Sequence, residues 1–158
     1  MKLIVESWRK FLKEEEGKKK IAYSGVMLDK PSIEKLIKVF EKYKPDNFVK
    51  KAKAYDLPHH MTIVPSELGQ YANDYPVGKE IKLKVIGYGI SEDAMAIKVK
   101  PPFPVKNNIP HITFALPVGG VPVKSNDIKQ WTELDEKDQF DVSGNVEEMP
   151  ENIKNYKE

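Results

Sequence analysis

The sequence predicts an α+β domain in which helices pack outside an antiparallel sheet. Alternating apolar and polar runs are joined by short turn segments, as antiparallel strands require, and separate stretches carry apolar residues at helical spacing. Neither a Gly-rich phosphate loop nor a dinucleotide-binding fingerprint is present. At 158 residues the chain has the length of one domain with a substantial core.

Ile4, Trp8, Phe11 and Leu12 fall on one stripe, which predicts a helix over residues 4–16 that stops at Gly17. A strand is expected from Ile21 to Leu28. Asp29-Lys30-Pro31-Ser32 then supplies a helix start, with Asp29 or Ser32 as cap and proline tolerated in the first turn. Ile33, Leu36, Ile37, Phe40 and Tyr43 form the apolar face of this second helix, and Pro45 ends it. Phe48 to Asp56 is read as an edge strand.

Ile81, Leu83 and Val85 alternate with lysines, and Met95, Ile97 and Val99 alternate on a return strand, giving a hairpin around Ser91-Glu92-Asp93. Gly87-Tyr88-Gly89, inside this pattern, is read as a bulge or a point of close packing. Pro101-Pro102-Phe103-Pro104 is a stiff connector. Ser125-Asn126-Asp127 reads as an N-cap cluster opening a short helix through Trp131. Phe140, Val142, Gly144 and Val146 alternate as a last strand, followed by a polar tail. The expected division is an N-terminal helical extension over 1–20, a main domain over 21–149 and the tail over 150–158.

Composition removes several function classes. No apolar run reaches the ~20 residues of a membrane span, and the start lacks the apolar region of a secretory signal. Without cysteine there is no disulfide framework, thiolate metal site or cysteine nucleophile, and a cytoplasmic location is expected. The net charge is only +2, and Arg9 is the only arginine, so a long duplex is not the expected partner. A small or terminal phosphate suits this balance better.

The chemistry concentrates in a phrase that occurs twice. Pro58-His59-His60-Met61-Thr62-Ile63 is echoed by Ile109-Pro110-His111-Ile112-Thr113-Phe114. On an extended strand alternate side chains share a face, so His60 stands beside Thr62 and His111 beside Thr113. Imidazole titrates near neutrality, so two histidines facing one phosphodiester divide the work: one takes a proton from water, the other protonates the leaving oxygen. The threonine hydroxyls donate to phosphate oxygens as charge develops. A metal site is the rival reading, but no His-x-x-x-His or carboxylate triad spacing supports it. By the same alternation His59 points away from His60 and is read as a structural or surface residue.

These paired motifs resemble the two signatures of the 2H phosphoesterase superfamily. Val77-Gly78-Lys79-Glu80 before the hairpin and Ser125-Asn126 before Trp131 are similar to its small RNA-repair and tRNA-ligase-like branch. The resemblance spans roughly Ile21 to Val146. It implies a bilobal fold, each lobe an antiparallel sheet carrying one motif beside a central cleft, with the N-terminal helix as an addition. It also implies metal-independent cleavage or ligation at a cyclic or 2′-linked phosphate, and the expected reaction is cofactor-free hydrolysis of a cyclic phosphodiester, such as a 2′,3′-cyclic phosphate on an RNA end or nucleotide.

The expected catalytic residues are therefore His60, Thr62, His111 and Thr113. Tyr23 is expected to border the cleft, and Lys124, Ser125 and Asn126 to meet an anion at a helix start. Tyr55, Tyr88 and Trp131 are candidate stacking surfaces. Alternatives are a hydrolase of cyclic di- or oligonucleotide immune signals, as in phage relatives, a nucleotide-binding module without turnover, and an assembly protein. The N-terminal helix is the candidate attachment for a protein partner.

Overall fold

The computed structural model describes residues 20–151, so the helix expected over 4–16, any attachment through it, and the tail after Glu151 lie outside the described residues. In chain order the elements are β1 (Ile21–Leu28), α1 (Lys30–Phe40), β2 (Phe48–Val49), β3 (His60–Val64), β4 (Glu80–Ile90), β5 (Met95–Lys100), β6 (His111–Pro117), β7 (Trp131–Glu133) and β8 (Phe140–Pro150). All strand pairings are antiparallel.

The bilobal α+β arrangement is not what forms. Starting from β1, the pairings run to β8, β4, β5, β6 and β3, and β3 pairs with β1 again, closing a six-stranded barrel. The two extra strands extend it, β2 along β6 and β7 along β4. Among the described residues α1 is the only α-helix. Closure follows from the pattern of burial. Met61 and Ile63 of β3, Ile112 and Phe114 of β6, Leu83 and Val85 of β4, and Val142 and Val146 of β8 are all buried in one cluster. Side chains fill the interior of so small a barrel, and closing the sheet removes the edges that two separate sheets would expose.

Asp29 is the cap of α1: its Oδ1 accepts from the Ser32 amide at 2.9 Å, and its Oδ2 accepts from the Ser143 hydroxyl at 2.8 Å. These bonds hold its carboxyl below the usual carboxylate range. A cap of this kind is worth ~1 kcal/mol, and here it also ties the helix to β8. Leu36 and Phe40, both at 0% exposure, carry the helix into the barrel's core cluster, where the Phe40 ring lies 5.8 Å from Tyr88 and 6.2 Å from Phe114.

Residues 122–127 form a 3₁₀ segment, and Trp131 opens strand β7 rather than closing a helix. The glycines of β4 make room for this strand. A Cβ on Gly87 would sit 2.5 Å from the Thr132 carbonyl oxygen, and one on Gly89 2.7 Å from the Trp131 ring. A register shift between Val85 and Gly87 marks the expected bulge. The edge strand read over Phe48 to Asp56 shrinks to Phe48–Val49, because the chain turns back at an isolated bridge between Lys51 and Asp56.

Candidate functional site

The two motifs stand on neighbouring strands rather than on separate lobes. Met61 lies opposite Ile112 in the β3–β6 pairing. The antiparallel register therefore sets His60 across from Thr113 and Thr62 across from His111. Met61 and Ile112 point into the core at 0% exposure, so the four polar side chains share the outer face of the barrel wall. They line one chamber of about 220 Å³, together with Tyr23, Tyr55 and Asn126.

The floor of this chamber depends on Gly25 of β1. It pairs with Thr62, and a Cβ there would lie 2.5 Å from the Met61 carbonyl oxygen and 3.3 Å from His60 Cδ2. Tyr23 covers His60 from one side, with ring centroids 4.5 Å apart and planes at 20°. Its hydroxyl is buried without a partner among the described residues, and burial raises the phenol far above its ordinary pKa. Removing a buried unsatisfied group spares a cost of roughly 1–3 kcal/mol. Tyr23→Phe is thus expected to shift the urea midpoint upward, and a lower midpoint would contradict the orphaned hydroxyl.

Each histidine is oriented by its own neighbour. His111 Nδ1 is 2.8 Å from the Ile109 carbonyl oxygen, which can only accept, so Nδ1 carries the proton and Nε2 is left available. His60 Nε2 is 3.2 Å from Thr62 Oγ1, and its Nδ1 is 3.0 Å from His59 Nδ1. His59 was expected to point away, but β3 begins at His60, so strand alternation does not extend back to it. Instead the His59 ring stacks on Tyr55 at 4.2 Å. Thr113 Oγ1 is 2.9 Å from Ser125 Oγ, and Ser125 is buried at 1% exposure.

All three histidines are held below their ordinary pKa. His60 falls to about 3 through burial first, then repulsion from His59 and His111. Burial lowers His111, against the pull of its bond to Ile109, and lowers His59, against the charge of Asp56. A histidine kept neutral in the fold binds fewer protons than in the unfolded chain at acidic pH. Stability from these groups is therefore complete above about pH 6.5 and is lost as pH falls, for His60 down to about 3. The melting temperature is expected to decline below pH 6.5 and to decline less steeply in His60→Gln. Parallel slopes in the two proteins would refute this account.

A second cavity of about 480 Å³ adjoins the first and shares His111, Asn107, Asn126 and Pro65 with it. Trp131 lies in its wall, 6.1 Å from the His111 ring, with its indole N–H donated to the Ile128 carbonyl at 3.2 Å. Asn107, Asn108, Lys106 and Ser125 complete the polar lining.

Among the expected binding residues, Tyr23 and Asn126 reach the chamber. Ser125 lines the adjoining cavity, and its hydroxyl meets that of Thr113. Lys124 is exposed and lines neither cavity, and the helix start that was to present these three residues to an anion is absent. Tyr88 stacks on Tyr43 at 4.7 Å, on the side of α1. Asn107 and Asn108 carried no periodic or motif signal. Gly25 carried a weak one, a lone glycine within a strand pattern.

No family model, curated protein or solved structure matches this chain. Among the described residues no three His, Cys, Asp or Glu side chains group in a way that could hold a metal ion, and no helix is long and apolar enough to cross a membrane.

Proposed function

We propose that this protein is a phosphodiesterase that opens a cyclic phosphodiester of a nucleotide or RNA end, of the 2′,3′-cyclic phosphate type, without a metal. The observation that carries the reading is the meeting of His60, Thr62, His111 and Thr113 in one chamber, each histidine across from the threonine of the other motif. Acid, base and two hydroxyl donors around one small space are the parts that phosphodiester hydrolysis needs.

In this reading His60, the ring whose pKa burial lowers furthest, takes the proton of the attacking water at Nε2. The water oxygen bonds to phosphorus, and the bond to the leaving ribose oxygen breaks. His111, protonated once the anionic phosphate is bound, delivers its Nε2 proton to that oxygen. The Nδ1–H bond to Ile109 supports the cationic form of His111 throughout. Thr62 and Thr113 donate to the non-bridging oxygens, and Ser125 orients Thr113. The adjoining cavity offers an indole for stacking and carboxamides that both donate and accept, which suits a nucleobase attached to the phosphate.

The test is a panel of 2′,3′-cyclic mononucleotides, RNA ending in cyclic phosphate, and cyclic dinucleotides, with products resolved by mass and EDTA present in parallel. Conversion of a 2′,3′-cyclic phosphate to a phosphomonoester, undiminished by EDTA, is the expected result. Turnover confined to cyclic dinucleotides would replace the substrate, loss with EDTA and recovery with zinc would replace the mechanism, and no turnover of any member would overturn the reading.

A further inference from the structure

The contact between His59 and His60 joins the same atom of two rings. Their Nδ1 atoms are 3.0 Å apart, so one must donate and the other accept. Two N–H groups would collide there, and two bare lone pairs would repel. The neutral pair therefore holds one proton between these atoms, and its position decides the chemistry of His60. With the proton on His60 Nδ1, Nε2 is a bare lone pair. With the proton on His59, His60 must carry its hydrogen on Nε2 instead.

We infer that His59 is a positioning residue: its Nδ1 accepts the Nδ1–H of His60 and so leaves the Nε2 lone pair of His60 facing Thr62 and the chamber. The Thr62 hydroxyl, 3.2 Å from Nε2, can donate to a bare nitrogen or accept from an N–H, so the other motif selects the direction. His111, the counterpart on β6, already shows the same arrangement, with Nδ1–H given to an acceptor just upstream.

His59 is held for this task. Its carbonyl oxygen accepts from the Leu28 amide at 3.0 Å, and its ring lies on Tyr55. Tyr55 in turn meets the His60 ring edge-on at 5.7 Å. Among the described residues the ionisable groups around the pair are few. Tyr55 and Asp56 come from the preceding loop, Tyr23 from β1 with Glu147 of β8 beside it, and His111 from β6. Asp56 acts on His59. When His60 Nε2 gains a proton, the Nδ1 proton can pass to His59, which moves the positive charge toward that carboxylate and leaves His60 neutral with hydrogen on Nε2.

The kinetic consequence rests on the proposed reaction, whereas the tautomer does not. The experiment is long-range proton–nitrogen correlation NMR on the full chain with ¹⁵N-labelled histidine, near pH 7.5 and without ligand. The pyridine-type nitrogen of His60 is expected at Nε2; finding it at Nδ1 overturns the inference. His59→Phe keeps a ring on Tyr55 but removes the acceptor, and is expected to move His60 toward the Nε2–H form. On a substrate that is turned over, kcat should fall about ten- to hundredfold with KM little changed, the range typical of partners that orient functional histidines.

His59→Asn places a carboxamide oxygen near the lost nitrogen and should restore both readouts. An unchanged His60 tautomer in His59→Phe overturns the role of His59. Should that variant not fold, the wild-type and His59→Asn spectra still decide: the role fails unless Nε2 is the pyridine-type nitrogen in both. A tautomer that responds as expected, in a protein that cleaves no phosphodiester, would leave the role of His59 standing and remove the proposed reaction.

Discussion

Alanine at His60 or at His111 is expected to lower kcat on a cyclic phosphodiester by about 10²–10⁴-fold, the usual worth of one positioned acid or base. Both rings stand on the outer face of the barrel wall while Met61 and Ile112 fill the interior, so neither truncation removes a core side chain. The circular dichroism spectrum should be that of the parent protein. Acid and base act in one transition state, so the double variant should lose less than the product of the two single losses. The pH–rate profile should change from bell-shaped to single-limbed in each variant, with opposite limbs surviving. Full turnover in either single variant would remove these residues from the mechanism.

Gly25→Ala should damage both the fold and the site. The new methyl carbon would lie 2.5 Å from the Met61 carbonyl oxygen, a backbone atom that moves only if the β1–β3 pairing moves. Overpacking of this kind typically costs about 1–3 kcal/mol. The same displacement acts on His60, whose Cδ2 would be 3.3 Å from the added carbon. Urea unfolding should show a lower midpoint, and activity measured well below that midpoint should still be reduced. A variant with parental stability would mean that β1 has room the geometry does not show.

Much of the site was legible because it depends on alternation alone. Once residues 60–64 and 111–117 are strands, His60 and Thr62, and His111 and Thr113, must share a face. How the two strands meet was not legible. The Met61–Ile112 pairing joins residues far apart in the chain, and local pattern does not distinguish a closed barrel from two facing sheets. His59 was misread for a local reason, since the period-two rule was carried one residue beyond the end of β3. The Ser125-Asn126-Asp127 run was misread because residue types that suit a helix start also suit a turn: here they end a 3₁₀ segment that has no side-chain cap, and the Ser125 hydroxyl meets Thr113 instead. The Gly87 and Gly89 pair was read correctly as close packing, but only the structure names β7 as the neighbour.

The β3–β6 pairing, Met61 opposite Ile112, is brief, whereas β1 and β8 pair along most of their length. The barrel is therefore fastened at its shortest seam by the strands that carry the histidines and threonines. A ligand held by both motifs would act as a rivet across that joint. Amide hydrogen exchange at Met61 and Ile112 should slow when such a ligand binds, ahead of any change in the β1–β8 half of the wall.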